Sequence, residues 1–125
     1  MSGIKKILFV EDEDELRELT AGILKRNFYE VIVAAGGVQA LELFQKHSAE
    51  IDLLVTDVFM PEMSGLDWVE RVKSLYPEKK IKVLYLSGQT VAQIKDPRLL
   101  DSDSYFLEKP YTSKILIEQL KKILI

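Results

Sequence analysis

The sequence predicts an α/β protein in which helices cover both faces of a doubly wound parallel sheet. Five short apolar runs alternate along the chain with longer segments that have helical spacing. Most of these runs are nearly continuous in Val, Ile, Leu and aromatic residues, which is typical of parallel strands covered on both faces. Right-handed crossovers between successive strands then place helices above and below the sheet.

The five predicted strands are short and rich in β-branched or aromatic residues. In chain order they are "ILFV" (7–10), "VIVAA" (31–35), "LLVT" (53–56), "VLYLS" (83–87) and "YFL" (105–107).

Four helices are predicted from apolar residues spaced three and four apart. Their apolar stripes are Leu16, Leu19, Ile23 and Leu24; Ala40, Leu41 and Phe44; Trp68, Val69, Val72, Leu75 and Tyr76; and, in the last helix, Leu116, Leu120, Ile123 and Leu124. Ser64 and Asp67 give the third helix a capping-box pattern. Thr112 is the predicted N-cap of the last helix.

The fourth helix is predicted to be short. Thr90 can cap its start, but the pair Asp96-Pro97 interrupts the segment, because a residue before proline avoids the α region. We expect an irregular connection from there to the fifth strand.

Length and composition indicate one domain over residues 1–125, with 47% hydrophobic and 30% charged residues. A net charge of −3 argues against nucleic acid or an anionic membrane as a direct partner. The absence of cysteine excludes disulfides, thiolate metal sites and thiol nucleophiles. No apolar stretch has the roughly 18 residues of a membrane span, and we expect a cytoplasmic location.

Residues with reactive side chains follow four of the five strands. In open α/β sheets the functional site lies beyond the carboxyl ends of the strands. The strand ends carry Glu11, Asp12 and Glu13; Asp57; Ser87 and Gly88; and Glu108, Lys109 and Pro110.

This set predicts a site for a hard divalent cation. Carboxylates that converge repel one another unless a cation binds, and oxygen ligands favour Mg²⁺ or Mn²⁺. An aspartate beside Mg²⁺ and a lysine can attack phosphorus, and a serine hydroxyl can donate to a phosphoryl oxygen. Each residue alone also fits a structural role, such as a cap, a turn or a solvated charge. Their convergence on one edge favours the functional interpretation.

Four segments together resemble the receiver domains of two-component response regulators over nearly the whole chain. They are "ILFVEDED", "DLLVTDVFMPEMSGLDWV", "VLYLSG" and "YFLEKPY". The resemblance implies a flavodoxin-like sheet with strand order 2-1-3-4-5. The fourth segment and the short fourth helix are similar to receivers at the C-terminus of hybrid sensor histidine kinases, so we favour an excised domain of that kind over a stand-alone protein.

The resemblance also implies a role for each residue of the metal and phosphoryl site. Asp57 would be phosphorylated. Asp12 would bind Mg²⁺ directly, Glu11 would act through water, and the backbone carbonyl of Phe59 would be a further ligand. Lys109 would contact the phosphoryl group.

Two further positions would transmit the modification. Ser87 would move towards the phosphoryl group, and Phe106 would turn inward when Ser87 moves. The family also has a cis bond before the proline that follows the lysine, which is expected here at Pro110.

The implied function is that of a phosphoacceptor in a phosphorelay, with a histidine kinase or a histidine phosphotransfer protein as partner. The isolated domain would not be an enzyme beyond its own phosphorylation and dephosphorylation, and we expect a monomer. Two alternatives stay open: a Mg²⁺-dependent phosphohydrolase with an aspartyl nucleophile, and an interaction module that works without phosphorylation.

Overall fold

The computed structural model describes residues 3–125. Its strands are β1 (Lys6–Val10), β2 (Glu30–Ala34), β3 (Leu53–Asp57), β4 (Lys82–Ser87) and β5 (Ser104–Glu108). Its helices are α1 (Asp14–Arg26), α2 (Gly37–His47), α3 (Gly65–Leu75), α4 (Val91–Ile94) and α5 (Ser113–Ile123), with a 3-10 helix (Pro97–Leu100) between α4 and β5. Within residues 3–125, no helix combines the length and the apolarity that crossing a bilayer requires.

The five strands form one parallel sheet in the order β2-β1-β3-β4-β5. This confirms the predicted strand order and the alternation of strands and helices. All five residues of β3 are buried, as expected for a central strand. The edge strands β2 and β5 are only partly covered, so the expectation of coverage on both faces holds for the middle of the sheet alone.

The hydrophobic core consists of two clusters, one on each face of the sheet. One cluster takes residues from α2 and α3 and includes Phe44 and Trp68. The other takes residues from α1 and α5 and includes Leu24 and Leu116. The sheet is therefore held between two pairs of helices, and its carboxyl edge stays open above them.

The prediction from the apolar pattern is wrong for two leucines, which do not lie in the core. Leu19 is 60% exposed and Leu75 is 52% exposed. In α1 the buried residues are Thr20, Ala21 and Leu24, of which only Leu24 belongs to the predicted stripe. A prediction based on large apolar residues misplaced this face, because two of its three buried residues are small.

The two predicted N-caps are present, but the capping box predicted at α3 is incomplete. Ser64 accepts from the backbone N–H of Asp67, and Thr112 caps α5 in the same way. The Asp67 carboxylate accepts from Arg98, which lies in the 3-10 helix. The complete capping box is at α4, where Thr90 and Gln93 bond reciprocally.

Arg98 ties the connection after α4 to α3. Its guanidinium binds the Asp96 carboxylate through two nitrogens, at 3.0 and 2.8 Å. Its Nη1 donates to Asp67 Oδ1 at 2.9 Å and to Glu70 Oε1 at 3.1 Å. The network compensates for the shortness of α4, which by itself buries no residue.

We expect Arg98→Ala to lower the free energy of unfolding by about 1 kcal/mol, because charged pairs that are partly exposed are screened by water. Arg98→Lys should recover only part of the loss, since an ammonium cannot reproduce the two-nitrogen contact. Urea denaturation measures both. Arg71→Ala, an exposed arginine on α3, is the matched control. Equal stabilities of the Arg98→Ala and Arg71→Ala proteins would contradict this account.

Candidate functional site

The structure brings the predicted site residues together at the carboxyl edge of the sheet. A cleft of about 160 Å³ opens there between the ends of β1, β3, β4 and β5. Its lining residues are Glu11, Asp12, Glu13, Asp57, Phe59, Leu86, Ser87, Gly88 and Lys109. Parallel strands place their carboxyl ends at the same edge, so residues far apart in sequence meet here.

Lys109 is the cation of the cleft. Its Nζ donates to Glu11 Oε1 at 2.8 Å and lies 2.8 Å from Asp57 Oδ1. Burial alone would lower the pKa of Lys109, but the two carboxylates outweigh burial and raise it to about 12. The ammonium is therefore charged at neutral pH.

Glu11 is buried, with 1% of its surface exposed, and several neighbouring groups contact it. Burial alone would raise its pKa, but Asp57, Lys109 and the backbone N–H of Glu13 together lower it. That N–H donates to Glu11 Oε2 at 3.1 Å. Arg17 fixes the backbone beneath by donating to the Glu11 carbonyl at 2.9 Å.

Asp57 is buried, with 4% of its surface exposed. Burial raises the pKa of Asp57 to about 8, and the nearby Glu11 adds to the rise, whereas Lys109 opposes it. Its buried Oδ1 forms an ion pair with Lys109, whose Nζ lies 2.8 Å away.

These carboxylates fit a divalent cation. Glu11, Asp12 and Asp57 each offer an oxygen, and the three oxygens lie within 4.8 Å of one another. Because all the side-chain ligands are oxygens, the cluster favours a hard ion over a transition metal.

The remaining predicted residues lie in or beside the cleft. The Ser87 hydroxyl accepts from the backbone N–H of Gln89 at 3.0 Å and is nearly buried. The side chain of Phe59 is 55% exposed at the cleft. Phe106 does not line the cleft but packs, partly buried, against the cluster under α2 and α3. The peptide bond between Lys109 and Pro110 is cis, as expected from the sequence.

The family model for the response regulator receiver domain matches residues 7–121. The chain belongs to this family. Sensor kinase CckA of Brucella abortus is 35% identical over 124 residues, which are 99% of this chain and 13% of CckA. The response regulator receiver protein CpdR of the same organism is 28% identical, and the match covers 98% of both chains.

Solved structures agree with this assignment. The chemotaxis protein CheY4 of Vibrio cholerae superimposes with a TM-score of 0.86 at 30% identity, covering 97% of this chain and 99% of that one. The receiver domain of the hybrid histidine kinase CckA superimposes with a TM-score of 0.81 at 33% identity, covering 96% and 99%. The protein is thus a receiver domain of two-component signalling, a signalling domain rather than a classical enzyme.

Sequence reasoning missed two residues of the receiver domain that together link α3 to the backbone of Asp57. Thr56 is a fully buried hydroxyl residue directly before it. The indole of Trp68 donates to the Thr56 hydroxyl at 3.1 Å. Trp68 was predicted only as a packing residue, and the buried polar residue inside an otherwise apolar strand was the available signal.

Proposed function

We propose that this receiver domain accepts a phosphoryl group on Asp57 from a phosphohistidine of a histidine kinase or a histidine phosphotransfer protein. The observation that carries the proposal is the buried Asp57 Oδ1, which lies at the cleft 2.8 Å from the Lys109 ammonium. An Asp57 oxygen forms the new bond to phosphorus as the donor's P–N bond breaks. The electron pair of the broken bond stays on the imidazole nitrogen.

Asp57 must attack as a carboxylate, although burial raises its pKa to about 8, and the donor that it attacks is also anionic. The Lys109 ammonium offsets charge on the nucleophile and on the incoming phosphoryl oxygens. Ser87, at the end of the neighbouring strand, would donate its hydroxyl proton to one of those oxygens. The backbone N–H of Gln89 donates to the Ser87 hydroxyl oxygen, so the hydroxyl proton of Ser87 stays free for this bond.

Mg²⁺ is the cation we propose for the acidic cluster. Asp12 and Asp57 would bind it directly, Glu11 through water, and the Phe59 backbone carbonyl would complete the protein's ligands. Receiver domains are generally Mg²⁺-dependent. When bound, the ion would supply positive charge that offsets the carboxylates and the phosphoryl oxygens.

The modification would act as a conformational switch. Ser87 would move towards the phosphoryl group, and Phe106 would turn further into the space behind it. Because Phe106 carries no hydroxyl, its inward state would gain packing but no hydrogen bond. The change would shift an existing equilibrium of the face formed by α4, β5 and α5.

We propose that residues 1–125 form a single receiver domain, which is cytoplasmic and monomeric. It would be either a stand-alone protein or part of a longer one. The relatives include both: the chain spans 13% of CckA and 98% of CpdR. We favour the domain of a hybrid kinase. Its only chemistry would be its own phosphorylation and dephosphorylation.

Incubation with acetyl phosphate tests the proposal. We expect one phosphoryl group per chain by intact-mass spectrometry in millimolar Mg²⁺, and none when EDTA removes the ion. Labelling that persists in EDTA contradicts the metal assignment. Steady hydrolysis of an aryl phosphate ester would favour a phosphohydrolase instead.

A further inference from the structure

A chain of two hydrogen bonds joins helix α3 to the backbone of Asp57. Trp68 Nε1 donates to Thr56 Oγ1 at 3.1 Å, and Thr56 Oγ1 donates to the carbonyl oxygen of Asp57 at 3.0 Å. Both side chains are fully buried. The two bonds form a polar path, which we call the Trp–Thr relay, through an otherwise apolar interior.

The direction of each bond follows from the chemistry of the groups. An indole N–H can only donate, so the Thr56 hydroxyl must accept from Trp68. Its single hydrogen is then free to point at the Asp57 carbonyl. In a buried, weakly polar environment, bonds arranged in series strengthen one another. The relay therefore restrains the orientation of the peptide group that carries the nucleophile.

Val58, the residue after Asp57, is restrained by two backbone bonds of its own. The N–H of Val58 donates to the Leu86 carbonyl at 2.9 Å, and the Val58 carbonyl accepts from Gly65 at 2.7 Å. The Asp57 carbonyl oxygen accepts a hydrogen bond from the Thr56 hydroxyl. The relay thus adds a bond to the carbonyl of a peptide group whose N–H is already bonded to β4.

We propose that Thr56 and Trp68 are positioning residues for Asp57, and that the relay aligns its carboxylate for attack on phosphorus. This inference rests on the proposed function of Asp57. Neither side chain lines the cleft, so each acts only through the Asp57 backbone. The relay also couples the position of α3 to the nucleophile.

Paired substitutions at position 56 separate the hydroxyl from its contribution to packing. Thr56→Val keeps the shape and removes the hydroxyl, whereas Thr56→Ser keeps the hydroxyl and removes a methyl group. Both should lower the melting temperature by a few degrees. Only Thr56→Val should slow uptake from acetyl phosphate at saturating Mg²⁺, by roughly tenfold, because a small misalignment of reacting groups has a large kinetic effect.

Trp68 supplies the second arm of the experiment. Trp68→Phe removes the indole donor and should slow uptake less than Thr56→Val, since the hydroxyl can still reach Asp57. The double variant should be no slower than Thr56→Val alone, because the two groups act in series. Val72→Ala, at a buried position of α3 outside the relay, is the control for lost packing and should keep the wild-type rate.

Three kinetic outcomes overturn the inference: a wild-type rate in Thr56→Val, a rate in Thr56→Ser as low as in Thr56→Val, or slow uptake in Val72→Ala. A readout without phosphorylation keeps the inference separate from the proposed function. In ¹H–¹⁵N spectra, the amide of Val58 should shift in Thr56→Val and stay in place in Thr56→Ser. If the wild type takes up no phosphoryl group, the proposed function fails. An unmoved Val58 amide in Thr56→Val rejects the relay itself.

Discussion

The Asp57→Asn protein is expected to take up no phosphoryl group, either from acetyl phosphate or from a phosphohistidine donor. An amide oxygen carries no negative charge and is a far poorer nucleophile than a carboxylate. The other groups of the cleft, including Lys109, would remain in place. Intact-mass spectrometry after incubation with donor and Mg²⁺ measures the loss directly.

This loss should occur in a folded protein. The amide gives up the ion pair with Lys109, but it also removes a buried charge that is crowded by Glu11, and the raised pKa of Asp57 shows that burial and crowding outweigh the ion pair. We therefore expect the free energy of unfolding in EDTA to stay the same or rise. Asp52→Asn makes the same chemical change at an exposed residue that begins the β3 region, and it should be labelled like the wild type. Equal labelling of the Asp57→Asn and wild-type proteins would refute the assignment of the phosphorylated residue.

The position of the site could be predicted because topology determines it. Once the apolar runs are assigned as parallel strands, Asp57 at the end of one and Lys109 after another must lie at the same edge of the sheet. The strand pairing fixes this edge to within a residue or two, since Asp57 pairs with Leu86 and Ser87 with Glu108. Side chains that follow directly from strand ends were therefore predictable without any tertiary contact.

Contacts made by the irregular connection were not predictable in the same way. Arg98 lies 31 residues from Asp67 and 28 from Glu70. Their meeting depends on how the segment after Asp96-Pro97 turns back over α3, and no periodicity in the sequence encodes that turn. The sequence indicated a broken fourth helix but not the arginine that holds the broken segment in place.

The Trp–Thr relay escaped prediction for a different reason. Trp68 falls on the apolar stripe of α3, where an aromatic residue is normally explained by packing alone. Thr56 has a β-branched side chain that suits a strand. Each residue satisfies a simple rule, so nothing in the sequence required the bond between them. Only the facing of α3 against β3 shows that a donor and an acceptor meet.

Gly65→Ala is expected to be among the most damaging single substitutions in the chain. A Cβ on Gly65 would lie 2.0 Å from the Asp57 carbonyl oxygen and 3.2 Å from Thr56 Oγ1. The first contact is with backbone, so no side chain can swing away to relieve it. Gly65 has no positive φ, and the requirement for glycine is therefore one of space. We expect the free energy of unfolding to fall by about 3 kcal/mol, at the upper end for overpacking.

The same clash should disable the site in the molecules that remain folded. To make room, either α3 or the Asp57 carbonyl must move, and both are ends of the Trp–Thr relay. The bond from Gly65 N–H to the Val58 carbonyl would be lost as well. Phosphoryl uptake should therefore be slower in Gly65→Ala than in Thr56→Val, measured at a temperature where both are folded. Gly36→Ala adds the same methyl group where nothing lies within 4 Å, and it should be labelled at the wild-type rate. A Gly65→Ala protein with wild-type stability and uptake would show that α3 can retreat without moving Asp57, and the coupling between helix and nucleophile would then be rejected.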